Sequence, residues 1–367
     1  MRVVHVSASY CRQDGGPSEV LRGLLPALVA AGHDVHLVTT DKGLTSKERQ
    51  LTPVEHTTVL PFVGPYSLSF ARGFRRAVRR AVAGADVVHV HGVDNYAALV
   101  GMQEAVRAGV PWVVQPHGAW DAYHRGQGAW KKRLWGRLLQ DRLVGRSARV
   151  VVSSTREHDH ALVAFPTTTP VVVPLGVDQA LLAIDTEWAK RAGVLFLGRV
   201  AHKKHLDVLI HAMAVVSAQH PEVTLTVAGP LDADLTYDPK ALVDELHLGA
   251  HVRFVGQVDK AQRHDLLATH RVFALPSDDE SFGMAAVEAA AAGMAVVASP
   301  HVGAMADAAQ AGVCEVTPAM PQDVAQAVIQ AVSRQDAPHH LRAYVAERCT
   351  WEHAATILAD AYGEVIA

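Results

Sequence analysis

At 367 residues, with 49% hydrophobic and 19% charged, the chain is long enough for two domains that each bury a core. No apolar run approaches the roughly 18 residues a spanning helix needs, and three scattered cysteines (Cys11, Cys314, Cys349) offer neither a disulfide framework nor zinc spacing, which suits a reducing cytosol. The formal charge of -3 hides an asymmetry, +7 over residues 1–180 and -10 over residues 181–367, so the halves are expected to play separate roles and nucleic acid is not expected as a partner.

The first half alternates strand-like and helical patterns. Met1-Arg2-Val3-Val4-His5-Val6 is too short and too early in charge for a signal peptide and reads as a first buried strand. Gln13-Asp14-Gly15-Gly16-Pro17 follows, then a helix carrying Leu21, Leu24, Leu25 and Leu28; paired glycines at a helix start permit close backbone approach and an anion site, although a tight turn uses the same residues. Pro26 should kink that helix or mark a first turn. Further strands are expected at Val35–Thr39, Val87–Val90, Trp112–Gln115, Val150–Ser153 and Val171–Pro174. His89 and His91 share a strand face and could pair on a metal, but no third ligand is placed; the expected arrangement is one ring in the core and the other approaching a cleft. Gln115-Pro116-His117-Gly118 puts an imidazole at a strand's carboxyl end. Trp130–Leu139, with Arg142 and Arg146, reads as a basic amphipathic helix, and Arg72, Arg75, Arg76, Arg79 and Arg80 form a second basic cluster. Each is either a solvated face over an apolar stripe or a contact with an anionic membrane surface.

The alternation continues through Val194–Leu197, Val223–Ala228, Val252–Val255, Val272–Leu275 and Ala295–Ser299. Repeated strand–helix alternation predicts two Rossmann-like, doubly wound halves with a hinge near residues 178–192 and ligands outside the strands' carboxyl ends. Gly198-Arg199 ends one strand, and Lys204 follows just ahead of a helix, so that two cations stand where a phosphate could bind. Asp232-Ala233-Asp234 is formally a D-x-D triplet, but two carboxylates in a surface turn are commonplace. After Val272–Leu275, Pro276 stops the strand, and Ser281-Phe282-Gly283 turns into a helix from Met284. Glu280 then lies in the loop and Glu288 about two turns into the helix. The free amides at the helix start lie between them.

Glu280-Ser281-Phe282-Gly283 followed by Glu288-Ala289 resembles the E-x7-E signature of glycosyltransferase family 4, the retaining GT-B enzymes that use nucleotide sugars. The resemblance extends to Pro174-Leu175-Gly176-Val177-Asp178 and to Gly198-Arg199 with Lys204 and Asp207, although His205 replaces the usual glycine after the lysine. It implies an N-terminal acceptor-binding domain over residues 1–178, joined by a last helix at about 352–367 that Trp351 anchors, and a C-terminal nucleotide-sugar domain over residues 179–351. It implies that Arg199 and Lys204 stabilise the leaving diphosphate and that Glu280 contacts the sugar. Glu288 would hold the ribose, and the backbone at Ser281, Phe282, Gly283 and Met284 would approach sugar and phosphate. Gly15 and Gly16 would lie against the diphosphate and the acceptor, Gly198 and Gly229 would sit at the nucleotide, the loop that follows Phe254-Val255-Gly256-Gln257-Val258 would frame the base, and His117 would stand near the reacting centre.

The expected enzyme moves a hexose-type sugar from a nucleotide diphosphate sugar, UDP in preference to GDP, to a hydroxyl acceptor. The acceptor would be a lipid-linked or polysaccharide or glycoconjugate intermediate, with a soluble natural product as the alternative. No cofactor or metal is expected, and the protein would be cytoplasmic, extending to the inner membrane face. An epimerase or phosphorylase of the same fold, and a non-catalytic nucleotide-sugar-binding protein, are the alternatives.

Overall fold

A computed structural model of the chain describes residues 1–12, 15–66, 69–120 and 140–367. The basic segment Trp130–Leu139 lies outside the described residues, as do Gln13 and Asp14 of the glycine-containing loop. The chain divides into two units, Met1–Gly176 with Trp351–Ala367, and Val177–Thr350.

The first unit is built on β1 (Arg2–Val6), β2 (Asp34–Thr40), β3 (His56–Leu60), β4 (Val87–His91), β5 (Trp112–Gln115), β6 (Arg149–Val152) and β7 (Pro170–Val172). They form one parallel sheet in the order β3-β2-β1-β4-β5-β6-β7. The order reverses between β1 and β4, the switch point of a doubly wound sheet. The central strands are buried on both faces: Val4, Val6, Val88, Val90, Val114 and Val150 pack on one, and Val3, His5, Val87 and His89 lie buried on the other. β3 escapes sequence reading for the opposite reason: His56-Thr57-Thr58-Val59-Leu60 is a half-exposed edge strand without an apolar run.

The second unit repeats the plan with β8 (Val194–Leu197), β9 (Leu225–Ala228), β10 (Val252–Gly256), β11 (Val272–Leu275) and β12 (Ala295–Ala298). The order is β10-β9-β8-β11-β12, again parallel, with its switch point between β8 and β11. Helix Met284–Ala291 follows β11 directly and is buried along Ala286–Ala291.

The last helix, Trp351–Ile366, belongs to the first unit and packs on helix Gly16–Ala30, which accommodates Pro26 in its interior. Two glycines make room for Trp351. A Cβ on Gly23 would overlap its indole ring, and one on Gly176 would overlap its backbone nitrogen as well as the ring. The Gly176 overlap involves backbone, so no side-chain rotation relieves it. Gly176→Ala is expected to destabilise the chain by about 1–3 kcal/mol. Gly249→Ala, at a position facing open space, should be nearly neutral. Denaturant midpoints of the two variants against the parent check the difference.

Candidate active site

In the second unit the turns leaving β8 and β11 meet at the sheet's carboxyl edge. Gly198 (φ 135°) ends β8, and a Cβ on Gly229 (φ 140°) would overlap the Gly198 carbonyl oxygen, so these two strand ends pass too closely for any side chain. The turn after Gly198 brings Lys204 to Glu280, with Nζ 2.6 Å from Oε1. Both side chains are largely buried. Burial alone opposes ionisation of Glu280, but the charges of Lys204 and Lys203 and the hydrogen bonds from Lys204 and Ser277 outweigh it, and its carboxyl is held below the usual range.

Glu280 is also fixed through its backbone, accepting from Gly303 N–H (3.0 Å) and donating to the His301 carbonyl (3.0 Å). Phe282 is buried, and Gly283 (φ 89°) turns the chain into helix Met284–Ala291 without a side-chain cap. A Cβ on Gly283 would run into Val302. The helix's first turn therefore presents uncapped amides beside Ser281 and Met284, with the positive end of the helix dipole. Just over one turn on, Glu288 is buried and the Arg263 guanidinium lies against its carboxylate. Arg199, mostly exposed, pairs with Asp232 at 2.9 Å.

His205 stands where the resembled pattern carries glycine, and it keeps glycine's conformation, with φ 48°. Its imidazole lies between Asp207 (3.6 Å) and Asp278 (2.5 Å). Asp207 and then Asp278 hold the proton on, against burial, and push its pKa up to about 9. The backbone N–H of Asp278 and the Ser277 hydroxyl both donate to the Lys203 carbonyl, so the two turns are stitched together.

In the first unit Gly15 (φ 71°) is the N-cap of helix Gly16–Ala30, and added Cβ atoms on Gly15 and Gly16 would meet open space. His117 and Gly118 turn left-handed after β5, with φ 54° and 77°. The buried Glu157 carboxylate pins that turn, accepting from Gly118 N–H at 2.7 Å and from Ser153 N–H and hydroxyl at 2.7 and 2.6 Å. His89 and His91 are both buried, which corrects the expectation that only one packs inside. Their rings stack at 4.3 Å, with His5 of β1 beside them. His89 Nδ1 meets the buried Tyr362 hydroxyl at 2.6 Å. In the basic cluster, Arg75 and Arg79 bind buried Glu104, each at 2.8 Å, while Arg72, Arg76 and Arg80 are exposed.

Sequence reasoning missed Arg263, Glu157 and His5 and gave Asp232 no partner. Glu157 had one readable signal, the Ser154-x-x-Glu157 spacing of a helix start, where Ser154 Oγ caps Glu157 N–H.

Two doubly wound parallel domains with these carboxyl-edge turns define a glycosyltransferase of the GT-B fold. Residues 15–176 match the family described as "Glycosyl transferase 4-like domain" and residues 184–348 that described as "Glycosyl transferases group 1". The chain belongs to glycosyltransferase family 4. It is 27% identical over 303 residues to the GDP-mannose:cellobiosyl-diphosphopolyprenol alpha-mannosyltransferase of Xanthomonas oryzae pv. oryzae (strain PXO99A), covering 82% of this chain and 78% of that protein. It is 31% identical over 251 residues to the D-inositol 3-phosphate glycosyltransferase of Rhodococcus jostii (strain RHA1), covering 61% and 54%. Anabaena Alr3699/HepE, solved in complex with UDP and glucose, superposes with a TM-score of 0.76 at 19% identity over 99% of this chain and 100% of that one, which shows the shared fold. No helix among the described residues is long and apolar enough to cross a membrane.

The raised pKa of His205 has a direct consequence for stability. Its folded value of about 9 lies above the 6.5 of an ordinary imidazole, so its contribution is complete below pH 6.5 and is lost as pH rises through about 9. With solvent screening of the half-exposed Asp278, the loss should be about 1–2 kcal/mol. His205→Asn, which tolerates the left-handed backbone, should flatten this part of the profile. Thermal midpoints measured from pH 6 to 10 check it.

Proposed function

We propose that this glycosyltransferase moves a hexose from a nucleotide diphosphate sugar to a hydroxyl acceptor, retaining the anomeric configuration and needing no metal. The observation that carries the reading is the Lys204–Glu280 ion pair beside the uncapped start of helix Met284–Ala291, with Glu288 farther along that helix. Transfer builds negative charge on the departing diphosphate. Lys204, Arg199 and the helix amides would meet that charge in a prearranged site, the role that a divalent ion would otherwise fill. Glu280 would orient the sugar hydroxyls and Glu288 the ribose. Gly198, Gly229 and Gly283 would let backbone approach the donor, and Gly15 and Gly16 would offer amides to a phosphate. His117 would contact the sugar. The acceptor hydroxyl would attack on the face the leaving group vacates, passing its proton to a diphosphate oxygen.

Each of these charged groups has a partner within the fold: Lys204 pairs with Glu280, Arg199 with Asp232 and Glu288 with Arg263. Donor binding is therefore an exchange of partners. UDP is the nucleotide to test first. The Xanthomonas relative, named for GDP-mannose and a diphosphopolyprenol-linked disaccharide, makes GDP the rival and supports a lipid-linked acceptor. Exposed Arg72, Arg76 and Arg80 would serve peripheral contact with an anionic membrane.

Thermal stabilisation by UDP-glucose or GDP-mannose with EDTA present tests the donor reading. A shift of a few degrees is expected at saturating ligand, lost in Glu288→Ala. Abolition of the shift by EDTA would overturn metal independence. The double variant Arg199→Ala/Lys204→Ala should lose about 10²–10³-fold in kcat/KM. Full activity in it would sink the assignment.

A further inference from the structure

Four histidines of the first unit form a stack beneath the carboxyl edge of its sheet. His5 and His89 are register partners on β1 and β4. His91 lies two residues further along the same face. His91 is in turn the register partner of Gln115, and the left-handed turn after Gln115 sets the His117 ring 5.4 Å from that of His91, 15° from parallel. Two hydrogen bonds run along the stack, His5 Nδ1 to His91 Nε2 at 2.9 Å and His91 Nδ1 to His117 Nε2 at 3.1 Å. At the inner end His5 Nε2 is buried without a partner among the described residues. At the outer end half-buried His117 leaves Nδ1 without a partner among the described residues.

A metal at His5, His89 and His91 does not fit these rings. A bound ion lies in the plane of each imidazole that holds it. The His89 and His91 planes are 4° apart with centroids 4.3 Å apart, so their lone pairs run side by side and do not converge.

Burial keeps the rings neutral. Loss of water brings His5 down to about 3 and His117 to about 4, and burial, then His89, His5 and His117, holds His91 well below the usual range. A neutral imidazole has one N–H and one lone pair, so three linked rings have two arrangements. Either every proton points inward and ends in a buried Nε2–H on His5 with no acceptor, or every proton points outward. The outward arrangement leaves only a bare lone pair on His5. Orphaned buried N–H donors are the rarer of the two, which selects it.

We propose that His91, braced by His5, is a positioning residue that fixes His117 as its Nδ1–H tautomer, making His117 a hydrogen-bond donor to an oxygen of the bound sugar and not a general base. The donor role rests on the placement of His117 in the proposed function; the tautomer does not. Glu157 holds the backbone of the same turn independently, so the ring can be altered while the turn stays anchored.

The test is long-range ¹H–¹⁵N NMR on the full chain with ¹⁵N-labelled histidines, the His117 signals being those lost in His117→Gln. The expected spectrum has a protonated, pyrrole-type Nδ1 and a pyridine-type Nε2 on His117. His91→Leu should release the tautomer and lower kcat about 3- to 10-fold with whichever of UDP-glucose or GDP-mannose stabilises the chain, with little change in KM. His91→Gln, whose amide can donate to Nε2, should restore both. A pyridine-type Nδ1 in the parent chain would overturn the proposal, even if His91→Leu fails to fold. So would a tautomer unmoved in a folded His91→Leu. If the tautomer behaves as stated but His117→Gln transfers at the parent rate, the donor role and the placement of His117 fall together, and the tautomer control stands.

Discussion

Two turns, one leaving β8 and one leaving β11, are tied at the 2.6 Å ion pair between Lys204 and Glu280. Either charge alone would be expensive to bury at that depth; together, with Ser277 and backbone contacts around them, they are tolerated. The pair lies at the switch point between β8 and β11, where the connections diverge and leave an opening. It needs the glycines around it. Gly198 and Gly229 allow the strand ends to pass, and Gly283 lets the helix begin against Val302. The site is thus a set of charges held by backbone that has little room to move, the condition under which electrostatic stabilisation costs little reorganisation.

The first unit orders its carboxyl edge by other means. Its carboxyl edge carries a row of neutral imidazoles that ends at half-buried His117, and a buried carboxylate, Glu157, holding the turn. The two units share a strand plan, and differ in that one edge carries a buried ion pair and the other a row of imidazoles beside a buried carboxylate.

Much of this was legible in the chain. Strands buried on both faces announce themselves as apolar runs, which is why β1, β8 and β11 could be read directly. β3 could not, because an edge strand with threonines facing water carries no such run. Glu280 and Glu288 stood out because their spacing is local, within one loop and one helix. Arg199 and Lys204 stood out for the same reason. His205 broke the local pattern, yet its left-handed backbone is preserved, with Asp207 and Asp278 bound to its ring.

By itself the sequence determined the alternation of strands and helices, the fold class and the positions of the charged residues near strand ends, since each rests on neighbours in the chain. Only the tertiary structure decided who partners whom. Arg263 against Glu288, Arg199 on Asp232, Glu157 beneath Gly118 and His5 beneath His91 join residues from 25 to 86 positions apart. Their partnership follows from parallel register and the reversal of strand order at β1/β4 and β8/β11, and long-range register leaves no trace in local spacing.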